Sequence, residues 1–270
     1  LSKRQHIELA EMCRSAGVKY TASVWDLDML EWIDEYMSFY KIGSGDLTAW
    51  PILKAIALRG KPILLSTGLA NMDEVGETIS FLQFVNPVYL QPENLCVLQC
   101  TSMYPIPDEE ANLSVMSGIR EIFGVSVGYS DHTVGSDALL AAVAMGASVL
   151  EFHFTDDRER KEFRDHKVSL TPAEVKDLKN RISTFNRFMG IGDKVPQPSE
   201  VESGHLISFR RAVYFKRNLA AGHLVNEEDL IYLRPLHGID ARDSSLIVGK
   251  RLKRNISAFS ALCLKTDFLD

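Results

Sequence analysis

Cysteine is scarce in this chain, and the cysteines present do not form pairs. The four, at positions 13, 96, 100 and 263, lack the paired spacing of a zinc ribbon and the density of a disulfide-stapled secreted domain. A run of about 20 apolar residues, long enough to cross a bilayer, is also missing, as is the opening of a secretory leader. A reducing cytoplasm is the expected compartment. There is no basic excess either: 30 lysines and arginines against 36 aspartates and glutamates leave a net charge of −6. Neither nucleic acid nor an anionic membrane is therefore an expected partner, and an anionic ligand must be held by a few placed groups. Internal repeats, low-complexity tracts and a glycine-rich dinucleotide fingerprint after the first strand are absent too.

What is present is a strong alternation of strand and helix. With 270 residues, 46% of them apolar, the chain can bury one large core and a smaller second one. It opens on Leu1 rather than methionine and enters at once a helix, SKRQHIELAEMCRSAG, with Ser2 as cap and Gly17 as stop. That start is expected to be the middle of something longer. Six β-rich runs follow (VKYTASVWD, FYKIGS, KPILLSTG, LCVLQCTS, VSVGYS and SVLEFHF), and a helical pattern comes after each. Asn71 with Glu74 predicts one helix start, and Thr171 before Pro172 predicts the start of the last long helix.

Apolar strands alternating with amphipathic helices predict a parallel sheet, and polar residues at the strand ends decide its form. Serine, lysine, histidine or acid closes every strand, as in a closed barrel; an open sheet concentrates its chemistry at one switch point. The expected fold is thus α/β, a (β/α)8 TIM barrel with six βα units in the chain and the first two missing, placed before Leu1. From about Gly190 the rhythm breaks. The expected layout is a barrel over 1–190, a linker over 191–203, and a small β-rich domain over 204–270.

The segments GYSDHT, LEFHFTDD and RDHKVSL hold three of the seven histidines. His132 falls just past a strand and His153 ends the next, with Glu151 on the same face and Phe152 pointing the other way. Two imidazoles and a carboxylate at neighbouring strand ends suit an open divalent-metal site. A histidine in an apolar strand is more often a hydrogen-bonded core residue, and that reading stands beside the first.

Taken together, KIGSGDLTAWPIL, GKPILLSTGLANMDEV, LQCTSMYPIPDEEANL, GYSDHTVG, LEFHFT and DHKVSL resemble the successive motifs of the sialic acid synthase family. The tail is similar to that family's antifreeze-like domain, the SAF domain, a β-clip fold. The resemblance spans essentially the whole chain. It implies condensation of phosphoenolpyruvate with an N-acetylmannosamine-type sugar and water, giving a nine-carbon sialic acid and phosphate. It also implies Mn²⁺ or Mg²⁺ on His132 and His153, oxygen and imidazole donors with no thiolate nearby favouring these ions over structural zinc. By the same match Lys41, Ser44, Ser66, Ser102, Ser130 and Ser23 bind phosphoenolpyruvate, while Glu151 and Asp46 are catalytic acids. Tyr104, Asp165 and Arg234 meet the sugar, Arg234 from a partner subunit, which implies a domain-swapped homodimer.

Each role has a plainer counterpart. The serines suit strand-end hydrogen bonds, Asp46 a structural partner for Lys41, Glu151 an orienter of His153, Tyr104 a half-buried loop aromatic, and Arg234 an exposed surface residue. His166 reads as structural or as a support behind the site's ligands. The chain also departs from the family pattern: Phe152 replaces a basic residue, TASVWD replaces the commoner STPFD, and ERKEFRDH replaces a glycine- and proline-rich approach. These changes point to the acceptor, and a precursor of legionaminic or pseudaminic acid is the alternative substrate. Readings from other classes are an incomplete barrel serving as a binding or scaffold subunit and, for the tail, an independent carbohydrate-binding module.

Overall fold

The structure, a computed structural model, describes residues 1–269. Local signals start the helices where the sequence predicts them. Helix α1 (Lys3–Ser15) begins at Ser2, whose hydroxyl accepts from the Gln5 amide while the Gln5 side chain accepts from the Ser2 amide. Helix α2 (Leu27–Ile33) is capped by Asp26, which accepts from the Met29 amide at 2.6 Å. Strand β1 (Tyr40–Ile42), helix α3 (Trp50–Ala57), strand β2 (Ile63–Ser66) and helix α4 (Met72–Val85) follow, the last opened by the Asn71–Glu74 capping box. Next come β3 (Leu95–Cys100), α5 (Val115–Phe123), β4 (Ser126–Ser130), α6 (Asp137–Ala144) and β5 (Val149–Glu151). Helix α7 (Pro172–Met189) opens on a Thr171–Glu174 box with Pro172 in its first turn.

The strands form one parallel sheet in the order β1-β2-β3-β4-β5, so that α3, α4, α5 and α6 are each a crossover between neighbours. Its helix-facing side is dry: Ile63, Leu65, Leu95, Val97, Val127 and Tyr129 are each at most 2% exposed. Burial of such side chains stabilises by about 1.5–3 kcal/mol apiece.

The sheet has five strands, where the sequence predicts six. VKYTASVWD is extended but stays outside the ladder, its polar groups meeting the segment just before β1. The Ala22 amide points at Met37 Sδ, 3.2 Å away, and the Thr21 hydroxyl donates to the Phe39 carbonyl at 3.1 Å.

The sheet is rolled. β1 and β5 lie at opposite edges, about 19 Å apart in a flat sheet, a gap that a lysine and a glutamate cannot bridge. Yet Lys41 Nζ of β1 lies 3.3 Å from Glu151 Oε1 of β5. Only a strongly curved sheet, an arc of a barrel, allows that contact.

The chain divides into two compact units, Leu1–Gly190 and Ile191–Asp270. In the second, the stretch expected as linker carries a short helix, α8 (Pro198–Glu202), followed by α9 (His205–Ser208). Antiparallel strands β6 (Ala212–Phe215) and β7 (Leu230–Leu233) and isolated bridges, among them Leu219 with Ile256 and Leu252 with Phe268, precede and surround the short α10 (Leu264–Asp267). Their core is Val213, Phe215, Leu230, Ile247, Leu252 and Leu262. At Gly238, with φ +89°, an added Cβ would stand 2.2 Å from the Leu262 carbonyl oxygen, so only glycine fits there. Among the described residues no helix is long and apolar enough to cross a membrane.

Asp229 ties this second unit together. It is 2% exposed; burial raises its pKa, but hydrogen bonds from His223 at 2.7 Å, Arg217 at 2.8 Å and the Asn226 amide at 3.1 Å outweigh that and hold it at about 2. A carboxyl held below its unfolded value stabilises the fold above that value, and the contribution is lost as pH falls through the folded value. Asp229→Asn is therefore expected to cost the second unit about 2 kcal/mol at pH 7. Within the full chain its melting temperature should drop less than the parent's as pH is taken from about 4 to about 2. Equal acid sensitivity in the two proteins would refute the assignment.

Candidate active site

Strand register explains why histidines far apart in sequence meet. Ser130 of β4 lies opposite Glu151 of β5. Two residues beyond each comes a histidine, and the ring centroids of His132 and His153 are 5.3 Å apart, close to the spacing of neighbouring strands. The same logic sets Cys100 beside Ser130 and, two residues on, Ser102 towards His132.

These strand ends enclose a cavity of about 290 Å³ lined by Lys41, Ser44, Ser66, Ser102, Tyr104, Ser130, His132, Glu151 and His153, together with Gly43, Gly45, Cys100, Asp131 and Phe152. Most of the expected site is thus gathered in one place. Asp165 stands at its edge, Oδ2 3.8 Å from His153 Nδ1. Ser23 and Asp46 are not in the lining; the Asp46 backbone begins the turn into α3, its carbonyl accepting from the Ala49 amide at 2.9 Å. Arg234 belongs to the second unit, where it is exposed with its guanidinium 5.5 Å from the Phe209 ring centroid. His166 Nδ1 lies 2.9 Å from the Thr155 hydroxyl.

Lys41 finds its anionic partner in Glu151 rather than in Asp46, and it also donates to the Ile42 carbonyl at 2.9 Å. Ser66 donates to the other oxygen of Glu151 at 3.2 Å. One carboxylate is therefore held by the first and second strands of the sheet at once.

Beside them is a cradle that sequence reasoning missed. The Gly68 amide donates to Ser44 Oγ at 3.0 Å, and a Cβ on Gly68 would lie 2.3 Å from Ser102 Oγ and 2.8 Å from Ser44 Oγ. A glycine directly after Ser66 and Thr67 was the available signal. Asp131 was missed as well: it is 3% exposed and braces the turn, its Oδ1 accepting from the Tyr129 hydroxyl at 3.0 Å and the Thr133 amide at 2.8 Å.

Phe152 packs against the buried core, the direction expected for it. One expectation is corrected. A sulfur is nearby after all: Cys100 Sγ is 3.9 Å from His132 Nδ1. It shares a strand face with Ser102 by simple two-residue alternation, which could have revealed it.

The imidazoles differ in character. His132 Nδ1 donates to the Thr101 carbonyl at 2.7 Å, which leaves Nε2 as the acceptor in the neutral ring. Burial pushes the His132 pKa down, but Cys100 and the Thr101 carbonyl outweigh it and the value is raised. For His153, burial and then the neighbouring His132 lower it. Burial pushes the Cys100 thiol up, and contact with His132, Ser130 and Ser44 brings it below its ordinary value. The Tyr104 ring lies 4.0 Å from that of His132 and 5.4 Å from that of His153.

Among the described residues no set of three or more histidine, cysteine, aspartate or glutamate side chains could by itself hold a cation. What the cavity offers a divalent cation is a pair of adjacent imidazoles, one with a fixed tautomer, with the remaining positions left to water or ligand.

Comparison with known proteins gives the family. The NeuB family model matches residues 1–194 and that of the SAF domain residues 210–258. The N,N′-diacetyllegionaminic acid synthase of Campylobacter jejuni is 35% identical over 256 residues, 94% of this chain and 75% of that protein. Human N-acetylneuraminate-9-phosphate synthase is 32% identical over 254 residues, 93% of this chain and 68% of that protein. The crystal structure of N-acetylneuraminic acid synthetase from Leptospira borgpetersenii, in complex with citrate, aligns with a TM-score of 0.69 at 29% identity, covering 76% of this chain and 70% of that one. This chain belongs to the NeuB family and carries a SAF domain after its α/β unit.

Gly68→Ala tests the cradle. Its methyl group would drive the Ser44 and Ser102 hydroxyls out of the cavity, and calorimetric affinity for inorganic phosphate, used as an anion probe, is expected to fall about tenfold or more. Unchanged affinity in a variant with the parent's circular dichroism would show that the cradle holds no anion.

Proposed function

We propose that this chain condenses phosphoenolpyruvate with an N-acetylmannosamine-like sugar and water, giving a nine-carbon sialic acid and inorganic phosphate. The observation that carries the reading is the meeting of Lys41, Glu151 and Ser66 with the His132–His153 pair in one cavity. Membership of the NeuB family supports it, and the rolled sheet is read as part of an eight-stranded (β/α)8 barrel.

In this reaction the methylene carbon of phosphoenolpyruvate bonds to the sugar's aldehyde carbon, whose oxygen becomes a hydroxyl. Water adds at the enol carbon and phosphate leaves, which makes that carbon a ketone. Lys41 and the hydroxyls of Ser44, Ser66, Ser102 and Ser130 would bind the two anionic groups of phosphoenolpyruvate. An ammonium at 4 Å from a phosphate oxygen is worth about 4 kcal/mol at an effective dielectric of about 20. Glu151, held by Lys41 and Ser66, would move the proton between water and the new hydroxyl. Tyr104 and Asp165 would orient the sugar. His132 and His153 would hold Mn²⁺ or Mg²⁺, which when bound supplies a Lewis acid for the aldehyde oxygen.

Arg234 would reach the acyl group of a sugar in a partner's cavity, making the working form a domain-swapped homodimer, and the proposed compartment is the cytoplasm. The likeness to N,N′-diacetyllegionaminic acid synthase favours one further reading, a diacetylated amino sugar as acceptor.

The test is to titrate Mn²⁺ and phosphoenolpyruvate into the full-length protein and follow phosphate release with several amino sugars. Release is expected only with metal and sugar together. His132→Ala and His153→Ala should each weaken Mn²⁺ binding by roughly tenfold or more. No release with any sugar, with metal affinity unchanged in His132→Ala, would overturn the proposal.

A further inference from the structure

Lys41 is the buried cation of the cavity: its side chain is 14% exposed, and a lysine so placed needs an anionic partner. Among the described residues Glu151 is the one acid that pairs with it, Oε1 standing 3.3 Å from Nζ. The other carboxylate oxygen accepts from Ser66, itself 2% exposed, at 3.2 Å. Glu151 therefore engages, with both of its oxygens, two of the groups assigned above to phosphoenolpyruvate.

The carboxylate is held loosely. Charge-assisted hydrogen bonds settle at about 2.7–2.9 Å, and both of these contacts are longer. With a side chain 36% exposed, beside about 290 Å³ of open cavity, Glu151 also has room to turn that Lys41 lacks. A second anion brought to the same ammonium would meet the Glu151 charge at close range, a repulsion that an exchange of partners removes. Such an exchange never leaves the buried lysine unpaired.

We propose that Glu151 occupies the anion site of the empty cavity as a built-in stand-in for an oxyanion of phosphoenolpyruvate, and that the ligand displaces it, Lys41 and Ser66 passing from the carboxylate to the ligand. This rests on the synthase reading and adds a control to it. The carboxylate that moves the proton is set free only in a cavity that already holds phosphoenolpyruvate.

The test is calorimetric titration of phosphoenolpyruvate into the full-length, metal-free protein. A site closed by its own carboxylate binds more weakly by the fraction of molecules in which it is open, so opening it raises the affinity. Glu151→Gln, which keeps the shape and removes the charge, should bind about tenfold or more tightly than the parent. Glu151→Asp, which keeps the charge but draws it back from Lys41 and Ser66 by one methylene, should show most of the same gain. A crystal structure of the parent with phosphoenolpyruvate should place Lys41 Nζ against a ligand oxygen and beyond about 4 Å from the Glu151 carboxylate, outside ion-pair range. A gain in Glu151→Gln alone marks plain repulsion between charges and overturns the proposal. So does equal or weaker binding in both variants, or a bound structure in which Glu151 keeps Lys41, and in all these cases the synthase reading survives. If phosphoenolpyruvate binds neither the parent nor either variant, both readings fall.

Discussion

The parallel ladder between β4 and β5, with Ser130 opposite Glu151, sets the position of everything in the cavity. Continued past the last paired residues, it delivers His132 and His153 side by side. The roll of the sheet then brings Lys41 from the far edge to Glu151, closing a ring of polar groups that no single strand could supply. Twist and register are backbone properties, but here they decide which side chains can share a ligand.

The two faces of the sheet divide the work. The face against the helices is apolar and close-packed and holds the strands in place, whereas the cavity face gathers a lysine, carboxylates, hydroxyls and imidazoles. Polar groups at such depth are costly unless satisfied, and most are satisfied by one another: Glu151 by Lys41 and Ser66, His132 by Thr101, Asp131 by Tyr129 and Thr133. The exception among the described residues is Asp165 Oδ1, which is buried and accepts no hydrogen bond, its nearest cation being Arg164 Nε at 3.5 Å.

Much of the chemistry was legible in order along the chain, because a motif such as GYSDHT or LEFHF keeps its members within a few residues. Its interpretation came from several motifs occurring in sequence, and the family match agrees with it. What could not be read was pairing across the sheet. Asp46 looked like the nearer partner for Lys41, yet Glu151, from the last strand, takes that place. Cys100 was unremarkable in an apolar strand until its neighbour proved to be His132. The extended 18–26 segment has a strand's composition but lies beside Met37 and Phe39 and makes no ladder.

The sequence alone determined helix starts, through caps such as Ser2, Asn71 and Thr171 whose partners lie within one turn. It also determined which residue types stand at the strand ends, because alternation and turn signals act over a few positions. Only the tertiary structure decided that Gly68 must lack a side chain, that Cys100 lies beside His132, and that Arg164 lies over Tyr104. Those contacts depend on curvature accumulated over five strands, and no local stretch of sequence encodes that sum.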